Sequence, residues 1–325
     1  LDADGVNLTF VGWRNFDRLL FGSQQDHFIG YWASPGFVGW TVLAFAVAWL
    51  ARWVWRSARE ARPSAAGLAG RLLIALLLAG LLVLAIGTVS AEGAPGSLVT
   101  TLFYVVAGVS TQFLIGLGLA LLCAQPLRGK NFFRVVYFIP LMVTPVGIAY
   151  IFRMMADMSL GPLAPLWSAL GLGEFSWASD PWAARVVVVI ADTWQWVPFM
   201  FLVLLAAVEN QPTDQVEAAR LDGAGTWEVF RDVTWPVIAP VAGTVVLIRL
   251  IESFKIIDLP NVLTNGGPGI ATESMTLHSF IAWRTQQLGE SAAIGYMLLF
   301  IAVIGCSAFF NLVASKSRVH EREAA

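Results

Sequence analysis

The stretch QPTDQVEAARLDGAGTWEVFRDVTWPVIAP, Gln211 to Pro240, lies between two long apolar runs. It is polar, yet its punctuation is that of a folded connector. The Thr213 hydroxyl is placed to cap a helix starting at Asp214, because a threonine oxygen can accept from a free first-turn N–H. Glu217, Ala218 and Ala219 all favour that helix. Gly223 stands where it should stop, since glycine alone enters the left-handed region without strain. Thr226 is placed to cap a second short helix, Trp227 to Val233, which Pro236 is expected to end. The reading is helix, glycine turn, helix, held at a membrane surface by the apolar runs on either side.

Those runs set the fold class. Of 325 residues, 57% are hydrophobic and only 13% charged, and the mean hydropathy is +0.70. Soluble domains carry about a quarter charged residues. Runs of roughly twenty apolar residues recur, so the chain is all-α and polytopic, with about seven transmembrane helices. The net charge of −2 and the lack of a basic cluster give no support to nucleic-acid binding. Cys123 and Cys306 sit within apolar runs as small packing residues.

Taken in order, the spans are about Gly36 to Trp55, Arg71 to Val89, Leu98 to Cys123, Val135 to Met155, Val186 to Val208, Val237 to Ile257 and Ala292 to Ala314. Pro140 and Pro145 predict a kink in the fourth. Arg52, Arg56, Arg59 and Arg62 follow the first span, Arg128, Lys130 and Arg134 the third, and Lys316, Arg318 and Arg322 the last. Lys and Arg accumulate on the cytoplasmic side, so these connectors and Gln211 to Pro240 fall inside. Asp157 to Arg185 and Asp258 to Ser291 fall outside, with Glu92 in a short outer turn. Near the outer end of the fourth span, Arg153 and Asp157 read as a snorkelling pair.

Glu217-Ala218-Ala219, three residues, Gly223, nine residues, Val233, one residue and Trp235-Pro236 resemble the E-A-A-x3-G-x9-I-x-L-P signature. That signature marks the membrane subunits of bacterial binding-protein-dependent ABC importers. Val233 and Trp235 replace Ile and Leu but remain apolar. Leu221-Asp222-Gly223-Ala224 is similar to the carbohydrate-importer version. LRGKNFFRVVYFIP, FSWASDPWAAR and LTNGGP resemble pieces of maltose-transporter-type permeases, and the likeness runs from about Leu98 to Ala314. It implies the type I importer permease fold. It also implies that Glu217, Ala218, Ala219, Asp222, Gly223 and Pro236 couple the chain to an ATP-hydrolysing subunit. NLTFVGWRNFDRLLFG, Asn7 to Gly22, is similar to the extracytoplasmic segment after the first helix of such permeases, so a further span is expected upstream of Leu1. The expected organisation is an amphipathic segment over 1–35, an inserted helix pair over 36–90, a permease core over 91–315 with its coupling loop at 209–240, and a cytoplasmic tail over 316–325.

Ionisable groups inside a span cost about 2.5–3.5 kcal/mol on insertion scales and are functional candidates by default. Asp192, Trp196 and Phe199, spaced i, i+4, i+7, share one helix face. Glu252, Ser253 and Ile256 fall near one face of the next span. A carboxylate beside aromatic rings suits a sugar, whose hydroxyls seek acceptors and whose C–H face packs on a ring. By the resemblance, these six positions line the transient sugar site. The alternative for the pair Arg249 and Glu252 is a buried contact gluing helices.

No G-x-x-x-x-G-K-[ST] occurs, so phosphates are not cradled by that route. His27, His278 and His320 are scattered, with no metal-ligand spacing, and no catalytic motif appears. The expectation is a non-enzymatic, multi-pass inner-membrane permease for a sugar or polyol, with no metal and no cofactor of its own. The partners implied are a second homologous permease, two ATP-binding subunits that hold ATP-Mg, an extracytoplasmic solute-binding protein and membrane lipid. The alternatives are an ion-coupled secondary transporter and a membrane-embedded enzyme acting on a lipid-linked sugar. Single cysteines test the topology: one at Ser176 should react with an impermeant reagent added outside, and one at Ala224 should not.

Overall fold

The computed structural model describes residues 11–60, 65–89, 95–125, 130–171 and 176–323. Arg62, Glu92 and Arg128 of the topology reading, and the start of the amphipathic segment at Asn7, lie outside them. Among the described residues every regular element is helical, beside a single isolated bridge between Gly30 and Pro95. The chain forms two compact units, Leu1–Thr101 with Gly269–Ile301, and Leu102–Pro268 with Ala302–Ala325.

The first unit begins with α1 (Arg14–Leu20) and α2 (Gln25–Phe28). Next come α3 (Phe37–Glu60) and α4 (Ala65–Val89), a packed hairpin whose apolar side chains, Phe37, Phe45 and Leu76 among them, are largely exposed. Phe37–Trp55 and Leu72–Val89 are each long and apolar enough to cross a membrane. The unit also holds the first turn of α5 (Ser97–Cys123), all of α14 (Met275–Arg284) and the start of α15 (Leu288–Glu323). Ser274 caps α14 by accepting from the Leu277 N–H at 3.1 Å, and the Met275 N–H donates to Thr101 Oγ1 at 2.8 Å. Side chains thus satisfy two of the orphan amides of that helix start.

In the second unit, α6 (Lys130–Met142) and α7 (Pro145–Ala156) take the place of the fourth span. The expected kink is a full break, with Arg134–Met142 and Pro145–Ala156 bent by 103°. Pro145 opens α7 where its missing N–H is no loss, and Thr144 caps the Gly147 N–H at 3.3 Å. Arg153 and Asp157 do not form the expected pair. Arg153 Nη1 donates to the Val262 carbonyl at 3.2 Å. Asp157 is engaged by its own turn, with the N–H of Leu160, the N–H of Ser159 and the Ser159 hydroxyl all donating to it. Those bonds hold its carboxyl below the usual carboxylate range. The connectors expected as outside loops contain helices of their own, α8 (Ala164–Ala169) in the first, and α13 (Asp258–Thr264) and α14 in the second.

α9 (Pro181–Glu209) is the spine of this unit, started by Asp180, which accepts from the Ala183 N–H at 2.6 Å. One core cluster joins Val109 and Ala120 of α5, Met200, Phe201 and Leu204 of α9, and Ala242 and Val245 of α12 (Trp235–Ser253). A second joins Tyr104, Ile148, Val188, Ala191 and Leu259. Within a bilayer, lipid tails are as apolar as side chains, so close packing and small residues hold helices together. Gly116 is the tightest such point. A Cβ there would stand 2.6 Å from Met200 Cβ and 3.1 Å from the Phe201 backbone nitrogen. Gly116→Val should therefore lower stability by about 1–3 kcal/mol through overpacking. A thermal melt of the purified chain, read against Gly118→Val, which meets nothing within 4 Å, checks this.

Candidate functional site: a presented loop and a buried polar clasp

The loop that opened the sequence reading is well formed, with corrections at its helix ends. Its first helix, α10 (Thr213–Leu221), starts one residue earlier than expected. Pro212, extended at φ −61° and ψ 118°, takes the capping position, so Thr213 lies inside the helix and its hydroxyl caps nothing. Gly223 has φ +87°, the left-handed turn its identity requires. The second helix, α11 (Thr226–Glu228), is capped at Gly225, whose N–H donates to Glu228 Oε2 at 2.7 Å. Pro236 does not end it. A π-helical turn over Val229–Thr234 carries the chain directly into α12, with the Trp235 N–H donating to the Phe230 carbonyl five residues back. Proline is accommodated because it falls in the first turn of α12, where no intrahelical donor is needed.

The loop presents itself outward. Glu217, Ala218, Asp222 and Gly223 are exposed, Ala219 and Pro236 half-buried. Leu221 is 89% and Trp227 66% exposed, large apolar side chains at the tip of a polar loop. At its root, Arg134 bonds Glu209, joining the start of α6 to the end of α9. Beside them an open cleft of about 380 Å³ is lined by Val208, Gln211, Val216 and Glu217.

The intramembrane polar residues converge in a different way from the sequence expectation. Asp192 of α9 is 4% exposed and Arg249 of α12 1%. Arg249 Nη2 donates to Asp192 Oδ2 at 2.5 Å, and Arg249 Nε donates to Gln112 Oε1 of α5 at 2.7 Å. Gln112 Nε2 closes the triangle by donating to Asp192 Oδ2 at 2.8 Å. The guanidinium lies 4.6 Å from the Trp196 ring centre, a cation–π contact. So Arg249 pairs with Asp192 and not with Glu252, whose carboxylate accepts from Lys255 at 2.7 Å. Trp196 and Phe199 do share a face, with ring centres 6.0 Å apart and planes near perpendicular. The Ser253 hydroxyl is buried with no hydrogen-bond partner among the described residues, and Ile256 packs on the cluster of Tyr104 and Leu259. The sequence reading missed Gln112. Its signal was an amide within the 27-residue apolar helix α5.

It also missed a cluster in the first unit. His27 and His278 are stacked, ring centres 4.0 Å apart, although 251 positions separate them. His27 Nε2 lies 2.9 Å from Glu273 Oε1. That hydrogen bond raises the His27 pKa, whereas burial pushes that of His278 down to about 3. No local spacing signals such a pair, and the side chain of His320 lies outside those described.

A bundle of broken and unbroken spans carrying an outward two-helix loop defines a membrane permease of the ABC-importer class. Residues 113–317 match the family described as binding-protein-dependent transport system inner membrane component, and the chain belongs to that family. It is 34% identical over 204 residues to the trehalose/maltose transport system permease protein MalF of Thermococcus litoralis, covering 63% of this chain and 69% of the relative. It is 30% identical to a probable starch degradation products transport system permease, AmyD, of Thermoanaerobacterium thermosulfurigenes, over 64% and 71% of the two chains. Its fold resembles a chain of a bacterial alginate ABC transporter crystallised with an alginate pentasaccharide-bound periplasmic protein. The TM-score is 0.61 at 18% identity, covering 67% of this chain and 77% of that one.

The clasp makes a stability prediction. Removing one partner of a buried pair leaves an uncompensated charge, about 3–5 kcal/mol. Arg249→Met should sharply lower the melting temperature, and the double variant Asp192→Leu with Arg249→Met should recover much of it. A double-mutant cycle on the detergent-solubilised chain reads the coupling.

Proposed function

We propose that the chain is one permease subunit of an ATP-driven importer for a sugar or polyol, and that α10, the Gly223 turn and α11 dock the ATP-hydrolysing partner. The observation that carries the docking is Leu221 and Trp227 exposed at the tip of a loop held in shape by Gly223 at φ +87°. Large apolar side chains in that setting mark a partner surface. On this reading the loop faces the cytoplasm. The inserted pair 36–90 then sits beside a permease core of 91–315. A second homologous permease, two ATP-Mg-binding subunits and a solute-binding protein complete the transporter, and ATP hydrolysis belongs to the partners.

Carbohydrate as the cargo class is supported by the trehalose/maltose and starch-product names of the relatives. It is also supported by the Trp196–Phe199 aromatic face and by the unpaired Ser253 hydroxyl. Asp192 enters this pathway as the anchor that keeps Arg249 over Trp196; Glu252 and Ser253 continue it at the end of α12, and Ile256 in the connector just beyond. The π-helical turn joins docking loop and α12 as one continuous helical rod. Motion of the loop with the closing ATPase pair is therefore transmitted to the face carrying Ser253.

ATP-dependent sugar uptake by the reconstituted transporter tests this. Gly223→Val puts a β-branched residue at positive φ. It should abolish ATP-coupled uptake, with insertion and expression unchanged. Trp196→Ala should reduce uptake while basal ATP hydrolysis persists. Uptake by the isolated chain without ATP would favour an ion-coupled carrier, and wild-type uptake by Gly223→Val would remove the docking role.

A further inference from the structure

We propose that His27, bonded to Glu273, is a proton-operated latch that ties α2 to the segment entering α14, tight when the imidazole carries a proton and weakened when it does not. His27 Nε2 stands 2.9 Å from Glu273 Oε1, a direct hydrogen bond between residues 246 positions apart. The imidazole lies flat on that of His278, with ring centres 4.0 Å apart and planes 20° from parallel. His278 is in turn pinned by Ser97, whose Oγ is 2.9 Å from Nδ1. The stack and the bond together hold His27 in one pose. Its side chain is 30% exposed, on the single-turn helix α2, so protons reach it from solvent. Glu273 and His278 are buried, 4% and 2% exposed.

The charges around the imidazole favour its protonated form. Glu273 acts on it from the segment before α14, and Glu290, also buried, from the start of α15. Glu290 Oε2 has no hydrogen-bond partner among the described residues, and Arg18 Nη2 of α1 faces it at 3.7 Å. The pocket thus sets two buried carboxylates against one guanidinium, itself 44% exposed, and a proton on His27 supplies the balancing charge. His278 does not compete for that proton, because burial and the neighbouring His27 hold its pKa at about 3. Ser97 of α5 adds only a hydroxyl, and Asp26, beside His27 on α2, is exposed. The bond to Glu273 outweighs partial burial, so the His27 pKa lies above the usual histidine value. Such a group contributes stability that is complete below its unfolded pKa, about 6.5 for histidine, and is lost as pH rises through the folded value. Neutral His27 can still donate from Nε2, but without the charge that makes the bond strong. All these residues belong to the first unit, and none to the coupling loop or the clasp. The latch is therefore independent of docking and of the sugar pathway.

The test is a set of melting curves of the full-length chain in detergent, from about pH 5 to about pH 8, wild type against His27→Gln. Glutamine keeps a neutral N–H for Glu273 and never takes the charge, and it replaces a half-buried side chain, so folding is not at risk. The two should melt together at the alkaline end and diverge towards acid, with the wild type the more stable. Exchange of the imidazole C2 hydrogen, read peptide by peptide in a mass spectrometer, gives the titration midpoint of His27 on the unaltered chain. That midpoint should lie above the ordinary histidine value and fall on Glu273→Gln, while His278 stays neutral over the whole range. A His27 midpoint at or below about 6.5 would overturn the latch. So would wild-type and His27→Gln curves that keep a constant separation at every pH, because a packing contact without a titrating charge behaves that way. A His27 midpoint left in place by Glu273→Gln would remove Glu273 as its partner, and the latch with it.

Discussion

The triangle of Gln112, Asp192 and Arg249 joins α5, α9 and α12 in the part of the molecule where water is not available to solvate them. A lone carboxylate or guanidinium there would be prohibitive, so each group is tolerable only through the other two. Three helices are thereby fixed in register as well as in contact. The small residues around the triangle allow that register. Gly116 brings α5 against the backbone of α9, and Ala120 and Ala242 extend the seam. Gly108 faces the Asp192 carboxylate itself, where a Cβ would come within 3.1 Å of Oδ2.

Because the clasp consumes the charge of Asp192, the face next to it changes character. Asp192 does not offer a free acceptor to a passing hydroxyl. What remains presented beside it is Trp196, its ring covered on one side by the Arg249 guanidinium, and Phe199 set edge-on to it. The charge of α9 is thus spent on structure and its aromatic surface remains for contact. A π-helical turn joins the same α12 to the presented loop, so the element that carries Arg249 is covalently and conformationally continuous with Trp227. On the function proposed above, docking and pathway belong to one mechanical part.

The spans, a bend in the fourth and the glycine turn were legible in the sequence because each depends on local facts. Length and hydropathy decide whether a helix can cross a bilayer. Pro145 marks where the fourth span restarts after its break, whereas Pro140 is carried inside α6, and Gly223 decides where the chain turns left-handed. Helix starts were less legible: whether Thr213 or Pro212 occupies the cap depends on a difference of one residue in backbone conformation, to which both sequences of events conform equally. The fate of Pro236 was hidden because a π turn re-registers the backbone bonds without any compositional mark.

The sequence by itself determined that this is an all-helical membrane chain with a coupling-loop signature, since bilayer thickness and backbone hydrogen bonding leave no other form for such runs. Only the tertiary structure decided who pairs with whom. Arg249 had a candidate three residues away in Glu252 and took Asp192, 57 residues distant, because helix packing buries it against α9, while Glu252 accepts from Lys255 instead. His27 and His278 met for the same reason, across 251 residues. Spacing along a chain predicts neighbours on one helix; neighbours between helices follow from packing, which no window of sequence contains.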